Sequence, residues 1–179
     1  FRWAAENGHL PILQYLTEQL QIKAPGKELQ MMRANNYYPF RRAMANQSYA
    51  VANYLLTFPS VFAWAAQQPS NDYRQCLDTF VKIRLAALHR RPVEGIADHE
   101  AELCLCLLHY LIRKNEEGLI QEMDFLLSIP AMEGVAARDI RNGPLIQSAR
   151  VVHNENAERR LMAFYREVQE KTLLRLGRT

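Results

Sequence analysis

The sequence predicts an all-α fold built from stacked helix pairs. Three observations carry that expectation. Glycine and proline number only 7 and 8 in 179 residues, too few for the many turns of a sandwich or barrel. No segment alternates apolar and polar residues at the period of a half-buried strand. A helix-turn-helix pattern recurs at an offset of 39 residues, and periods of this size signal repeat architectures.

The repeat aligns without a gap. Phe1, Arg2, Ala4, Asn7, Ile12, Tyr15 and Leu16 match Phe40, Arg41, Ala43, Asn46, Val51, Tyr54 and Leu55. In the first copy Phe1 is followed by small residues at Ala4 and Ala5, which makes a short helix with a thin face. Asn7-Gly8 supplies a turn, because both residue types tolerate the left-handed conformation that ends a helix. The second helix carries Ile12, Leu13, Tyr15, Leu16 and Leu20. Neither helix can bury its apolar side alone, so the pairs must stack. In a looser third copy Pro144, Leu145, Ser148 and Ala149 stand against Pro39, Phe40, Ala43 and Met44, with a short insertion required later. The ending Leu55-Leu-Thr-Phe-Pro59 returns as Leu126-Leu-Ser-Ile-Pro130.

The remaining elements follow in order. Residues 27–36 read as a short extra helix after the Pro25-Gly26 turn. Residues 61–67 read as a fourth, broken first helix, since Phe62-Ala-Trp64-Ala-Ala66 echoes Phe1-Arg-Trp3-Ala-Ala5. Residues 72–89 form a long helix with Tyr73, Leu77, Phe80, Leu85 and Leu88 inward, ended by Arg90-Arg91-Pro92. A loop over 93–97 leads to a helix capped by Asp98 and running to Lys114, with Leu103, Leu107, Tyr110 and Leu111 inward. Residues 117–127 pair with it, with Glu116-Glu117 favouring the positive end of that helix. Residues 134–143 read as a loop with one helical turn. Pro144 starts another helix, and residues 156–176 form the last, with Ala157, Leu161, Phe164 and Val168 inward. Its outer face is polar, as a terminal cap requires, and Glu155–Arg159 and Glu167–Lys171 have the spacing of solvated ion pairs.

This pattern resembles the ankyrin repeat, whose core reads roughly T-P-L-H-x-A-A-x-x-G-H-x-x-I-V-x-x-L-L. Phe1 stands at the leucine, Ala4-Ala5 at the alanine pair, Gly8-His9 at the turn, and Ile12 and Leu16 in the second helix. Asn7-Gly8-His9-Leu10 is the most specific piece. The second copy keeps Pro39-Phe40 at Pro-Leu but has Gln47-Ser48 in place of Gly-His. The period exceeds the usual one of about 33 residues. The resemblance thus implies an irregular ankyrin-like helix-turn-helix solenoid, with longer helices in the C-terminal half. Residues 1–60 hold the ankyrin-like repeats, and 61–179 are a helical continuation with degenerate repeats and a capping helix. With the Leu-Leu-x-Phe/Ile-Pro endings, the chain is similar to ankyrin-like secreted effectors of intracellular bacteria such as Legionella. The chain opens at Phe1 inside a helical pattern, so a fragment of a longer protein is expected.

Composition excludes several classes. Lys plus Arg is 22 and Asp plus Glu is 19, a net charge of +3, short of the focused charge of a dedicated nucleic-acid binder. Cys76, Cys104 and Cys106 are too few for a disulfide framework and read as reduced core thiols of a cytosolic protein. A cytoplasmic location is expected, or a host cytoplasm for a secreted effector. No apolar run approaches the roughly 20 residues of a membrane helix.

No catalytic constellation is legible, so no enzymatic activity is expected of this segment. His99-Glu100 lacks a second histidine at position 103, so the zinc-protease motif fails. Cys104 and Cys106 point about 200° apart on a helix and cannot share a metal with His109. No cofactor or metal is called for. No serine sits with a plausible His and Asp partner, and no phosphate-binding glycine loop occurs. His9 is expected to bond turn backbone and link neighbouring repeats.

The informative polar residues lie on first helices. The resemblance implies that first helices line a partner-binding face, with Trp3 and Arg42 at the same outward position. Arg2, Trp3, Glu6, Arg41, Arg42 and Trp64 are therefore the candidate partner-binding residues, and arginine and tryptophan are types enriched in hot spots. The alternative for this set is packing of Trp3 on an upstream repeat and solvated arginines. The expected function is protein–protein interaction, with a host protein as one candidate partner and no small-molecule substrate evident. Two other readings stand beside it. One is a recruiting domain of a larger effector enzyme with chemistry upstream. The other is a lipid- or nucleic-acid-binding helical domain using Lys82, Arg84, His89, Arg90 and Arg91.

Overall fold

The computed structural model describes residues 1–97, 100–115 and 118–176. The described residues form helices joined by short turns and hold no strand. The elements are α1 (Arg2–Glu6), α2 (Leu10–Lys23), α3 (Lys27–Ala45), α4 (Tyr49–Leu56), α5 (Pro59–Ala65) and α6 (Asn71–His89). A 3-10 turn at Val93–Gly95 follows, where a loop was expected, then α7 (Ala101–Lys114), α8 (Leu119–Ser128), α9 (Met132–Asn142), α10 (Pro144–Val151) and α11 (Glu155–Leu176). Asp98, His99, Glu116 and Glu117, assigned capping or motif roles above, lie outside the described residues. Two compact units are formed, Phe1–Leu85 and the residues from Ala86 onward.

In the first unit the 39-residue repeat is a repeat of backbone geometry. Asn7 and Asn46 end their helices at φ −95, ψ 9 and φ −94, ψ 10. The next residues, Gly8 and Gln47, are both left-handed, at φ 72 and φ 55. The N–H of His9 then reaches Ala4 O at 2.9 Å, and that of Ser48 reaches Ala43 O at 2.8 Å. The Gln-Ser pair therefore makes the same turn as Gly-His. The two turns also touch: a Cβ on Gly8 would sit 2.9 Å from Ser48 Oγ, so glycine serves both the left-handed φ and the close approach.

α3 is two helices joined across a break. Ala34 is extended, and Asn35, Asn36 and Tyr37 are left-handed at φ 50, 56 and 55. The extra helix read over 27–36 thus stops short of its expected end. The second half of α3, from Tyr38, is the first helix of the second repeat. Pro39 sits in its first turn, where the missing N–H costs nothing. α1 packs on α3, and α2 on α4, as stacked pairs must. Phe40, Ala43, Val51, Leu55 and Leu56 are fully buried there.

The Leu-Leu-x-x-Pro ending proves to be a helix connector used in both units. Thr57 Oγ1 donates to Tyr54 O and Ser128 Oγ donates to Phe125 O, both at 2.7 Å. Each hydroxyl bonds a carbonyl of the last helical turn, and Tyr54 O accepts the Thr57 N–H at 3.1 Å as well. Phe58 and Ile129 are extended, and the proline after each leads into the next helix. α5 is a continuous helix rather than a broken one, with Val61, Phe62 and Ala65 buried.

The second unit departs from expectation at residues 134–143. These belong to α9, an 11-residue helix ended by left-handed Gly143. Met132, Ala136 and Ile140, spaced by one turn, are buried and hold it against α7 and α8; Gly134 is tolerated because those contacts outweigh its poor propensity. α10 and α11 form a helix pair joined by the same turn as the first two. His153 is left-handed at φ 52, and the Asn154 N–H reaches Ala149 O at 2.9 Å. Ala149 therefore takes the part of Ala4 and Ala43, so the inserted residue of the third copy lies before Ala149 rather than later. Eight of the 14 residues of α7 are buried, more than the one face expected, while Leu111 is half-exposed. Ala157, Leu161 and Phe164 anchor α11, while Val168 is half-exposed. Glu155 pairs with Arg159 at 2.9 Å as expected, whereas Lys171 reaches Glu133 on α9 instead of Glu167.

Candidate protein-interaction surface

The candidate residues fall into two groups around two aromatic platforms, both in the first unit. The first platform is Tyr38, at the start of the second half of α3. The Arg2 guanidinium carbon lies 4.6 Å from its ring centroid and that of Arg42 lies 5.2 Å away. Such cation–π contacts are favourable even at exposed sites. Arg42 Nε donates to Tyr38 Oη at 3.0 Å and lies 3.5 Å from Glu6 Oε1. Tyr38 Oη in turn donates to Glu6 Oε2 at 3.5 Å. The hydrogen bond that Arg42 donates to Tyr38, then the electrostatic influence of Tyr38 and of Glu6, holds the Arg42 pKa above its usual value. Asn46 Nδ2 closes the contact between helices by donating to Glu6 O at 2.6 Å.

Tyr38 was absent from the sequence candidates. A signal for it exists, since it lies four residues before Arg42, the spacing of helix neighbours. Pro39 hides it, because the residue before a proline is biased away from the helical region.

Trp3 is beside this group and 62% exposed. Its ring lies 4.8 Å from that of His9, tilted by 31°, and Asn7 Nδ2 donates to its carbonyl. The His9 side chain makes no capping hydrogen bond. Its role is thus to steady Trp3 within its own repeat, while Gly8 and Ser48 make the link between turns.

Trp64 differs from Trp3 although the sequence makes them equivalent. It is half-buried in the second platform, stacked on Tyr37 at 4.8 Å and close to Phe40 and Tyr73. Its Nε1 donates to Asn36 Oδ1 at 3.0 Å. Arg41 is exposed and lies on this side: its charge lowers the Tyr73 pKa, which burial nevertheless raises overall. Arg41 and Arg42 are thus divided between the two platforms, as adjacent helix positions must be.

A second polar constellation was not legible. His109 on α7 lies 3.2 Å from Ser148 Oγ through Nδ1 and 3.2 Å from Asp139 Oδ1 through Nε2. These are the residue types of a hydrolase triad. The wiring is that of a clip, however: Ser148 is 5% exposed, and Asp139 Oδ1 also accepts from the Leu145 N–H. The group ties α7, α9 and the start of α10 together. His109 and Ser148 stand 39 residues apart, the repeat offset found in the first unit. The Cys106 thiol nearby is pushed up to about 12, by burial first and then by Glu102 and Asp139. Among the described residues no group of His, Cys, Asp and Glu can hold a metal ion, and no helix is long and apolar enough to cross a membrane.

No family model matches the sequence, and no curated protein matches it. A solved structure does. The chain is similar to an ankyrin repeat family protein from Legionella pneumophila, with a TM-score of 0.77 and 29% identity. The similarity covers 92% of this chain and 51% of that protein, so the chain spans about half of its length.

Proposed function

We propose, from the ankyrin-like repeat architecture, that this chain captures a protein partner through the exposed face of α1 and the second half of α3. The observation that supports this reading is the placement of Trp3, Arg2 and Arg42 on two stacked first helices, with both guanidiniums held over Tyr38. Ordering the arginines beforehand lowers the entropy that a partner must overcome. An aromatic ring flanked by two cations suits an acidic partner segment carrying an apolar anchor, and such residues concentrate binding energy. Arg41 and Trp64, on the neighbouring platform, extend the face. Glu6 acts as the positioning carboxylate for Arg42.

Because the similar protein comes from Legionella pneumophila, the reading extends to an effector that acts on a host protein. Affinity capture from host-cell lysate tests it. Trp3→Ala and Arg42→Glu should each deplete the captured protein while the far-ultraviolet circular dichroism is unchanged. Capture at the native level by both variants would remove this face from consideration.

In a second reading the chain recruits the captured partner to an enzyme of which it forms one part. Activity assays on the full-length protein with and without Arg42→Glu separate the two: a recruiting role lowers turnover of the captured partner and spares a small model substrate.

A further inference from the structure

The junctions between helix pairs in the first unit are not alike. At the first, the two turns are in contact through Gly8 and Ser48. At the second, residues 66–70 join α5 to α6, a longer connection than residues 46–48. It opens with N–H bonds from Gln67 to Trp64 O and from Gln68 to Ala65 O, which prolong the helix end. A cleft of about 610 Å³ lies between α4 and α6.

Its lining includes Gln47, Tyr49, Asn53, Asp72, Gln75 and Thr79. Three carboxamides in one cleft are unusual for a small-molecule site, which is mostly apolar. The Gln47 and Gln75 carboxamides each offer a donor and an acceptor, the complement of a peptide group, and Asn53 adds its Nδ2 donor, its Oδ1 accepting from Cys76 Sγ at 3.9 Å. Asp72 is the charged residue of the lining, and its carboxylate is the group there that can pair with a cation. Gln47 holds a left-handed φ of 55, a conformation that glycine adopts freely at the equivalent Gly8.

We propose that this cleft binds an extended peptide segment with a basic side chain. Gln47, Asn53 and Gln75 take the peptide backbone, Tyr49 covers it, and Asp72 pairs with the basic group. The site is independent of Tyr38 and the arginines around it.

The test is a titration of the isotope-labelled full chain, followed by magnetic resonance. The probes are the blocked pentapeptides acetyl-Ser-Ala-Lys-Ala-Ser-amide and its glutamate counterpart. The lysine peptide should shift the side-chain amide signals of Gln47, Asn53 and Gln75 saturably, with the glutamate peptide weaker by roughly tenfold. Gln47→Gly keeps the turn, because glycine suits the left-handed φ, and should lose most of the response. Asp72→Asn should abolish the preference between the peptides. The proposal is overturned if the amides show no saturable shift at millimolar peptide, if both peptides act equally on the native chain, or if Gln47→Gly responds as the native chain does.

Discussion

The indole Nε1 of Trp64 donates to Asn36 Oδ1 at 3.0 Å. The same indole stacks on Tyr37, 4.8 Å between centroids. Asn35, Asn36 and Tyr37 are three consecutive left-handed residues, a run that L-residues avoid at a cost of about 1–2 kcal/mol each. Asparagine tolerates it; tyrosine does not. A tryptophan of the next helix pair therefore fixes the break that separates the extra helix from the second repeat. Trp64→Phe should keep the stacking and lose about 1 kcal/mol with the hydrogen bond. Trp64→Ala should lose about 3 kcal/mol. Urea unfolding monitored by circular dichroism measures both.

The turn residue offers an opposite pair of effects. Gly8→Gln should destabilise by more than about 1 kcal/mol, since it adds left-handed strain and crowds Ser48. Gln47→Gly should be neutral or stabilise by about 0.5 kcal/mol, because relief of strain offsets the added freedom of the unfolded chain. Thermal melting decides; a large loss for Gln47→Gly would mean that the turn depends on its side chain.

Tyr38 should matter more to capture than to folding. Tyr38→Ala removes the platform of Arg2 and Arg42 and should weaken partner capture nearly as much as Arg42→Glu. Tyr38→Phe keeps the ring and should lose only the part owed to the Arg42 hydrogen bond. An unchanged capture by Tyr38→Ala would show that the arginines need no platform.

The His109 clip should be structural. Ser148→Ala and His109→Ala should each cost about 1–3 kcal/mol by leaving a buried polar partner unsatisfied. Neither should change the rate of p-nitrophenyl acetate hydrolysis over that of free imidazole. A burst of nitrophenolate that disappears in Ser148→Ala would overturn this.

Alkaline pH should destabilise through two thiols that the fold shields from water, buried Cys76 and half-buried Cys106. Folding raises Cys76 to about 11 and Cys106 to about 12 from a usual 9.0, chiefly by burial. A raised thiol pKa favours the neutral form in the fold. Its stabilising effect is complete below pH 9 and is lost as pH rises toward 12. Native Cys106 should accordingly react with iodoacetamide far more slowly at pH 8 than the urea-unfolded chain does. Equal rates would contradict the burial.

The helix pairs and their stacking were legible because they rest on local signals. Phe40, Ala43, Val51 and Leu55 repeat the spacing of the first copy, and the Leu-Leu-x-x-Pro connector repeats as a string. Residues 134–143 were misread because Gly134 and Gly143 are loop residues by propensity. Only Ala136 and Ile140 packing against other helices overrides that. Trp3 and Trp64 are alike in sequence, and their opposite exposures follow from what stands beside each.

By itself the sequence determined the helix-pair repeat, its 39-residue offset and the first-helix positions of Arg2, Trp3 and Arg42, because helix period and turn chemistry act over a few residues. Tertiary structure alone decided which residues meet. It placed Tyr38 between Arg2 and Arg42, joined His109 to Ser148 and Asp139, and opened the cleft at Gln47. Those contacts link residues far apart in the chain, and their geometry depends on how each pair settles on its neighbour.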